Sequence, residues 1–493
     1  MADLAGVPSA SGSSGFHRSL RLRDGLVLGI TVAAVAMASI GGSVGALGAW
    51  GAVALWGIAC VVAFAQNHLF AEMASMFPDK PGGITLYAHE AWQQHGKAFG
   101  ALAAWGYWMG WSLSLSVFGL TIGGLVQAEW FPHATWSFSD GAIQVGLVQV
   151  IAAGTLILTW LLNLLGTKGV LATNYVVFAF LLIAFAAFII GPFAAGDWHA
   201  SNLHWAVSLP GHTLGGLHLA IVWLWLMGWT VASTELGATF APEMRDPHRE
   251  VPKVLRWTSL FVLVVVALIP LAAAGALGEK GIANNPVGFY AAEVTKVIGP
   301  LGGVVIALVC AALFISMSVG TADGSRALYG MARDGLTLPV LNHLNRHRMP
   351  ARAMTLDLVV NMVLVFFVGN VLGVIFASNV GYFIAILFAL TGFLLLRRER
   401  PDAPRPMRLG AWAIPAAVVL SLYTVVLLVV GSLSPKLAGY GGIKEQLIGV
   451  GLLVLGLIGY GLTRLQRNRT PAQVGVPTAA TGAGPMPADA DVR

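Results

Sequence analysis

Residues 37 to 48 read MASIGGSVGALG. The stretch lies inside the first long apolar run of the chain. It nevertheless sets Ser39, Gly41, Gly42, Ser43 and Gly45 within seven positions and ends on Gly48. Each glycine weakens a helix by about 1 kcal/mol relative to alanine. An interruption in a segment built to cross lipid needs a reason, and either close helix packing or a binding site supplies one.

The surrounding composition fixes the class. The chain has 493 residues, 57% hydrophobic and only 10% charged. A soluble protein carries about 25% charged residues, because its surface faces water. Apolar runs long enough for a hydrocarbon core of about 30 Å recur along nearly the whole sequence. Twelve spans are read at 25–47, 49–72, 98–128, 141–164, 169–194, 214–241, 257–278, 300–324, 354–371, 374–396, 410–432 and 446–464. The expected fold class is therefore an all-α polytopic membrane protein whose partner is the lipid bilayer.

The net charge of +6 is a topology signal and not a nucleic-acid footprint. With the N-terminus inside, 24 of the 28 Lys and Arg residues fall in inside segments. Lys280, Lys296, Lys436 and Lys444 are the four outside. That asymmetry places both termini in the cytoplasm and the protein in the plasma membrane. Residues 1–20 and 466–493 read as disordered tails around one membrane domain, 21–465. Cys60 and Cys310 each lie inside an apolar span, so neither a metal spacing nor a disulfide framework is available.

Span six repeats the anomaly of span one. It runs long, and its middle reads MGWTVASTELGAT, residues 227 to 239. Spans one and six occupy equivalent places in two five-helix halves. Paired interrupted segments of this kind point to a transporter site built on inverted repeats. Backbone groups freed by a break in lipid must find partners, and a substrate or ion can be that partner. Glu235 lies in the second break. A carboxylate inside a span costs about 2.5–3.5 kcal/mol on insertion scales and faces a cavity as a rule. It either cycles a proton, pairs with a cationic substrate, or makes a structural hydrogen bond.

Three further stretches give the chain a resemblance. FAEMASMFPDKPGGITLY (70–87) follows span two, APEMRDPHREVPKVL (241–255) follows span six, and GSRALYGMARDGLTLP (324–339) follows span eight. In that order they resemble the amino acid–polyamine–organocation superfamily of permeases, of the amino acid permease type, across residues 20 to 465. The second matches that superfamily's Glu-x-Lys-Asn-Pro-x-Arg-x-Ile-Pro-Arg signature through Glu243, Arg245, Asp246, Pro247, Arg249, Val251, Pro252 and Lys253.

The resemblance implies twelve transmembrane helices in a LeuT-type five-plus-five inverted repeat. Helices one and six are then discontinuous, and two helices follow at the C-terminus. It implies secondary transport of amino acids by alternating access, with a polyamine or other organic amine as the alternative cargo, and no cofactor. On it, Gly41, Gly42 and Ser43 present amides to a substrate carboxylate, and Ser39 and Ile40 present carbonyls to its amine. Trp229 matches an aromatic that closes over substrate, and Thr230, Ala232 and Ser233 complete the second break. Plant polyamine permeases carry a similar glycine-rich run in span one.

Other candidates come from the spans themselves. Trp105, Trp108, Ser112 and Ser116 share one face of span three, which either lines the pathway or packs on a neighbouring helix. Ser316 and Ser318 lie where some LeuT-type transporters complete a sodium site, though membrane serines mostly bond their own helix. His68 and Glu72, four apart, form either a proton relay or a local pair. No Lys or Arg stands between Lys168 and Arg245, so the span-five lysine of proton-coupled relatives is missing. Coupling then falls to another group such as Glu235, with a proton as partner, or the protein exchanges substrates. An intramembrane enzyme is the remote alternative, and no HExxH or paired-Asp motif supports it.

Overall fold

The computed structural model describes residues 20–77, 83–134, 136–141, 143–165, 170–207, 215–238, 243–438 and 442–469. The expected tails, 1–20 and 466–493, lie almost wholly outside them. Nearly all of the described chain is helical. Ten stretches are long and apolar enough to cross a membrane.

The first runs from Leu22 to Met76. It begins as α1 (Leu22–Val32), tightens into a 3-10 turn at Ala33–Ala36, and resumes as α2 (Met37–Met76). The break thus falls just before the glycine-serine cluster, not within it. The cluster stays helical, and its hydroxyls bond carbonyls of its own backbone. Ser43 donates to the Ile40 carbonyl at 2.7 Å and Ser39 to that of Ala36 at 3.4 Å.

The chain reverses inside α2. Gly48 has φ 71° and ψ 168°, a region open to glycine, and an added Cβ there would come within 2.6 Å of the His204 carbonyl. The Trp56 indole N–H donates to Ser43 Oγ at 3.0 Å. Thirteen residues of straight helix would separate that pair by about 20 Å. Residues 37–47 and 49–76 therefore lie side by side as a hairpin. Glu279 accepts from the Ala49 amide at 2.7 Å and caps the start of the second arm.

The remaining elements follow in order. α3 is Gly83–Trp92, and α4 (Lys97–Ser112) passes through Leu113 into α5 (Ser114–Trp130). A short antiparallel ribbon pairs Ser137–Ser139 with Gln144–Gly146. Next come α6 (Leu147–Leu164), α7 (Val170–Ala194) and α8 (Gly215–Ala232). A 3-10 turn, Ser233–Ala238, breaks the chain after α8 before α9 (Pro247–Leu277). The two short helices α10 (Glu279–Asn284) and α11 (Phe289–Ile298) lead into α12 (Gly302–Asp334). α13 (Ala351–Phe367), α14 (Val371–Glu399), α15 (Ala413–Val426) and α16 (Ile443–Arg469) complete the fold. α13 has only 17 residues, marginal for a crossing.

Burial sorts these helices. α2 packs on α8, α9 and α14, and α14 also packs on α8 and α4. Trp56, Trp108, Trp223 and Trp225 are fully enclosed among them. Leu161, Ile183, Leu422 and Ile458, on α6, α7, α15 and α16, are instead exposed, as a lipid-facing rim requires.

Each end of the bundle is closed. At the Gly48 end, α10 and α11 lie over the first break. The Pro286 backbone sits so close to Gly41 that a Cβ there would overlap it, and Ala283 abuts Gly45. At the opposite end, Leu20 bridges to Met244: its amide donates to Glu243 O at 3.0 Å, and its carbonyl accepts from Arg245 at 2.9 Å. Glu72 there accepts from Arg397 Nε at 2.7 Å and from the Leu409 amide at 2.8 Å, with the Arg405 guanidinium 3.4 Å away. His68 takes no part: its Nδ1 bonds the Phe64 carbonyl. The His68–Glu72 pairing, as relay or local pair, is therefore corrected, because two guanidiniums outcompete one imidazole for that carboxylate.

Candidate functional site

The breaks at Ala33–Ala36 and Ser233–Ala238 face one another in the core. Ser39 Oγ and Thr230 Oγ1 lie 3.2 Å apart and join the two interrupted helices. The second break forms where Thr234 bonds the Val231 carbonyl at 2.9 Å, a local alternative to helix continuation. Asn67 pins that turn by donating to Thr234 Oγ1 at 2.8 Å and to Ser259 Oγ of α9 at 3.1 Å.

A cavity of about 20 Å³ lies beside the first break, walled by Val35, Gly110, Trp111, Ser114, Phe118, Trp229 and Tyr382. The Trp229 indole donates to the Gly110 carbonyl at 3.1 Å and is thereby held across it. Glu235 sits behind the wall, 1% exposed. Its Oε1 accepts from the hydroxyls of Tyr107 at 2.9 Å and Tyr382 at 3.4 Å. Its Oε2 has no hydrogen-bond partner among the described residues. Among the described residues, no Lys, Arg or His lines the cavity. Aromatic faces and one buried carboxylate suit a cationic group.

A second cavity, about 40 Å³, shares Trp111, Ser114 and Phe118 with the first. It continues to Thr31, Asn174, Ser316 and Asp323. Ser316 Oγ is buried without a partner among the described residues, whereas Ser318 Oγ accepts from Asn163 at 2.9 Å. The two serines thus face different surroundings.

Several candidates sit elsewhere. Trp108, Ser112 and Ser116 face α13, away from the breaks. Trp108 and Ser112 donate to Asp357 Oδ1 at 2.9 and 2.6 Å, and Ser116 donates to Asn361 Oδ1 at 2.6 Å. Of their two expected readings, this contact is helix packing. Ser43 is held by Trp56, and Gly41 faces Pro286 and not the cavity. Ile40 and Gly42 are buried within α2, and Ala232 is the last residue of α8. The Ser233 side chain lies outside the described residues. Asp323, Asp357 and Glu293 were passed over by sequence reading. The rule that singled out Glu235, an acidic residue in an apolar span, reaches Asp323 and Asp357, whereas Glu293 falls between the expected spans 257–278 and 300–324.

The sequence profile described as "Amino acid permease" matches residues 24–457. The chain belongs to the amino acid permease family. Its relatives include the histidine permease HisP of Lactococcus lactis subsp. cremoris, 23% identical over 75% of each chain. The amino-acid permease RocE of Bacillus subtilis is 24% identical over 64% of this chain and 65% of its own. The polyamine transporter PUT1 of Oryza sativa subsp. japonica is 25% identical over 79% of this chain and 67% of its own. Family and relatives alike are permeases and not enzymes, and this permease has the membrane-crossing helices that such a role requires.

Proposed function

We propose that this permease is a secondary transporter that carries an amino acid or organic amine by alternating access. The observation that carries the reading is the meeting of two broken helices at Ser39 and Thr230, with one bare carboxylate oxygen of Glu235 beside them. Freed backbone groups and an unmatched charge are what a bound zwitterion or cation would satisfy. The reading takes twelve crossings in a LeuT-type five-plus-five repeat with two added helices. The hairpin at Gly48 and the short α13 support that count alongside the ten longer stretches. It also takes both termini as cytoplasmic, the Gly48 end as the outer face of the plasma membrane, and Glu235 as the group that exchanges a proton with the cycle.

Ser39, Trp229 and Thr230 are the proposed contacts to substrate. Gly41, Ser43 and Gly45 instead let the outer cap close. Uptake of radiolabelled histidine, arginine, isoleucine and putrescine into proteoliposomes, with and without an inward proton gradient, tests the reading. Accumulation of at least one of them supports it, and transport of none under either condition sinks it.

A second reading, that the cargo is an organic amine, is favoured by the aromatic walls and by the absence, among the described residues, of any cationic side chain in the cavity. Putrescine uptake that outcompetes every amino acid in the panel decides for it.

A further inference from the structure

Glu293 lies on α11 at 0% exposure, and among the described residues neither of its carboxylate oxygens has a hydrogen-bond partner. Nothing in the transport site uses it. It shares a helical stripe with Tyr290, Val294 and Val297. That stripe packs on α7: the rings of Tyr290 and Phe188 are 4.9 Å apart, and a Cβ on Gly191 would come within 2.8 Å of Val297.

The helix that carries Glu293 also covers the first break. Tyr290 donates its hydroxyl to the Met37 carbonyl at 3.1 Å, and the Pro286 backbone just before α11 rests on Gly41. On its other face, through Ala291, Ala292 and Thr295, α11 borders a cavity of about 790 Å³. Lifting α11 into that space would both uncover the break and expose Glu293.

Few charges surround the carboxylate. The adjoining halves of α7 (183–194), α9 (263–277) and α12 (302–318) contain no Asp, Glu, Lys, Arg or His, and Cys310 is the one titratable group in them. The half-helix at 37–47 contains none. On α11 itself, the Tyr290 hydroxyl bonds Met37, and the Lys296 ammonium bonds Ala276 O at 2.6 Å with Asp197 at 3.9 Å. Glu129 of α5 borders the cavity on the far face. An ionised carboxylate without hydrogen bonds or a counter-charge is strongly disfavoured in such surroundings.

We propose that Glu293 is a proton-binding site, and that its protonation from the outer solution is required for the α10–α11 cap to close over the transport site. Closure takes one proton from outside water onto the carboxylate to give the carboxylic acid. Reopening returns that proton to the same side, so Glu293 gates without moving net charge across the membrane. The inference rests on the Gly48 end being the outer face.

The test labels the full chain in sealed proteoliposomes with a membrane-impermeant maleimide, in a Cys60→Ala, Cys310→Ala background. Val294→Cys reports the buried stripe and Lys280→Cys, on the exposed face of α10, is the reference. Labelling of Val294→Cys relative to the reference rises about tenfold between about pH 6 and about pH 8. Adding Glu293→Gln leaves it low and flat, and Glu293→Asp restores the slope. If the glutamine variant does not reach the membrane, Glu293→Leu carries the same expectation. A slope that survives loss of the carboxylate, or no slope in the parent, overturns the proposal. Failure of the reference cysteine to label from outside overturns the orientation, and the proposal with it. No substrate is needed, so a wrong cargo assignment leaves the result readable.

Discussion

The Tyr107 hydroxyl donates to Oε1 of Glu235 at 2.9 Å, while Oε2 of the same carboxylate has no hydrogen-bond partner among the described residues. One oxygen is fixed by the scaffold and the other is left for a proton or a cation. Glu235→Gln is therefore expected to abolish the pH dependence of uptake in a protein that still folds. Unchanged pH dependence in that variant removes Glu235 as the coupling group.

Tyr107→Phe removes one donor and leaves the longer bond from Tyr382. Loss of a buried hydrogen bond to a charged group costs about 1–3 kcal/mol. If the orientation of Glu235 matters to transport, uptake falls about tenfold or more in addition to the loss of thermal stability that this cost implies. A fall in stability without a fall in uptake would assign Tyr107 to the scaffold alone.

Gly48→Ala meets two obstacles, a left-handed backbone and the His204 carbonyl 2.6 Å from the new Cβ. The strain alone is worth about 1–3 kcal/mol. The expected outcome is a lowered melting temperature in detergent, with Gly57→Ala, where the new Cβ meets nothing within 4 Å, as the control that holds or raises it.

Glu72→Gln breaks the clamp that holds Arg397, Arg405 and the Leu409 amide at the other end of the bundle. Removing one partner of a buried ion pair costs about 3–5 kcal/mol, because the other charge stays behind. Membrane yield and melting temperature should both fall. Substituting His68, which does not touch the clamp, should change neither.

Glu243 sits outside the crossings, and burial raises its carboxyl above the usual value while Arg326 partly opposes the shift. A raised acid binds its proton more tightly in the folded chain than in the unfolded one. Its effect on stability is thus absent at pH values below the unfolded value and turns unfavourable as pH rises through the folded one. Glu243→Gln should accordingly raise the melting temperature at neutral pH and leave it unchanged in acid. The reverse order in a pH series of melting curves would contradict the sign.

The second break was legible in the sequence because Thr234 and Gly237, both weak helix formers, flank a carboxylate, Glu235, in an apolar span. The first break was read a few residues late. It falls on Ala33–Ala36, and alanine is the best helix former, so only tertiary contact can set it there. The glycines that drew attention have other uses visible only in three dimensions: Gly41 admits Pro286 and Gly48 turns the chain. Span three reads as one face bearing Trp105, Trp108, Ser112 and Ser116. Trp105 donates to the Leu452 carbonyl of α16 at 2.7 Å, whereas the other three turn together to α13. Their destination depended on Asp357 and Asn361, which lie some 245 residues further along. No spacing rule reaches that far.

The two backbone bonds between Leu20 and the segment Glu243–Arg245 have a mechanical consequence. They tie the start of α1 to the connector that follows the second break, and the Glu250 carboxylate adds to the yoke by accepting from the Leu22 amide at 3.1 Å. A side-chain substitution leaves the two main-chain bonds in place, but tension on the preceding polypeptide can cut them. Fusions placed close to Leu20 are thus a handle on the transport cycle, and linker length there becomes an experimental variable.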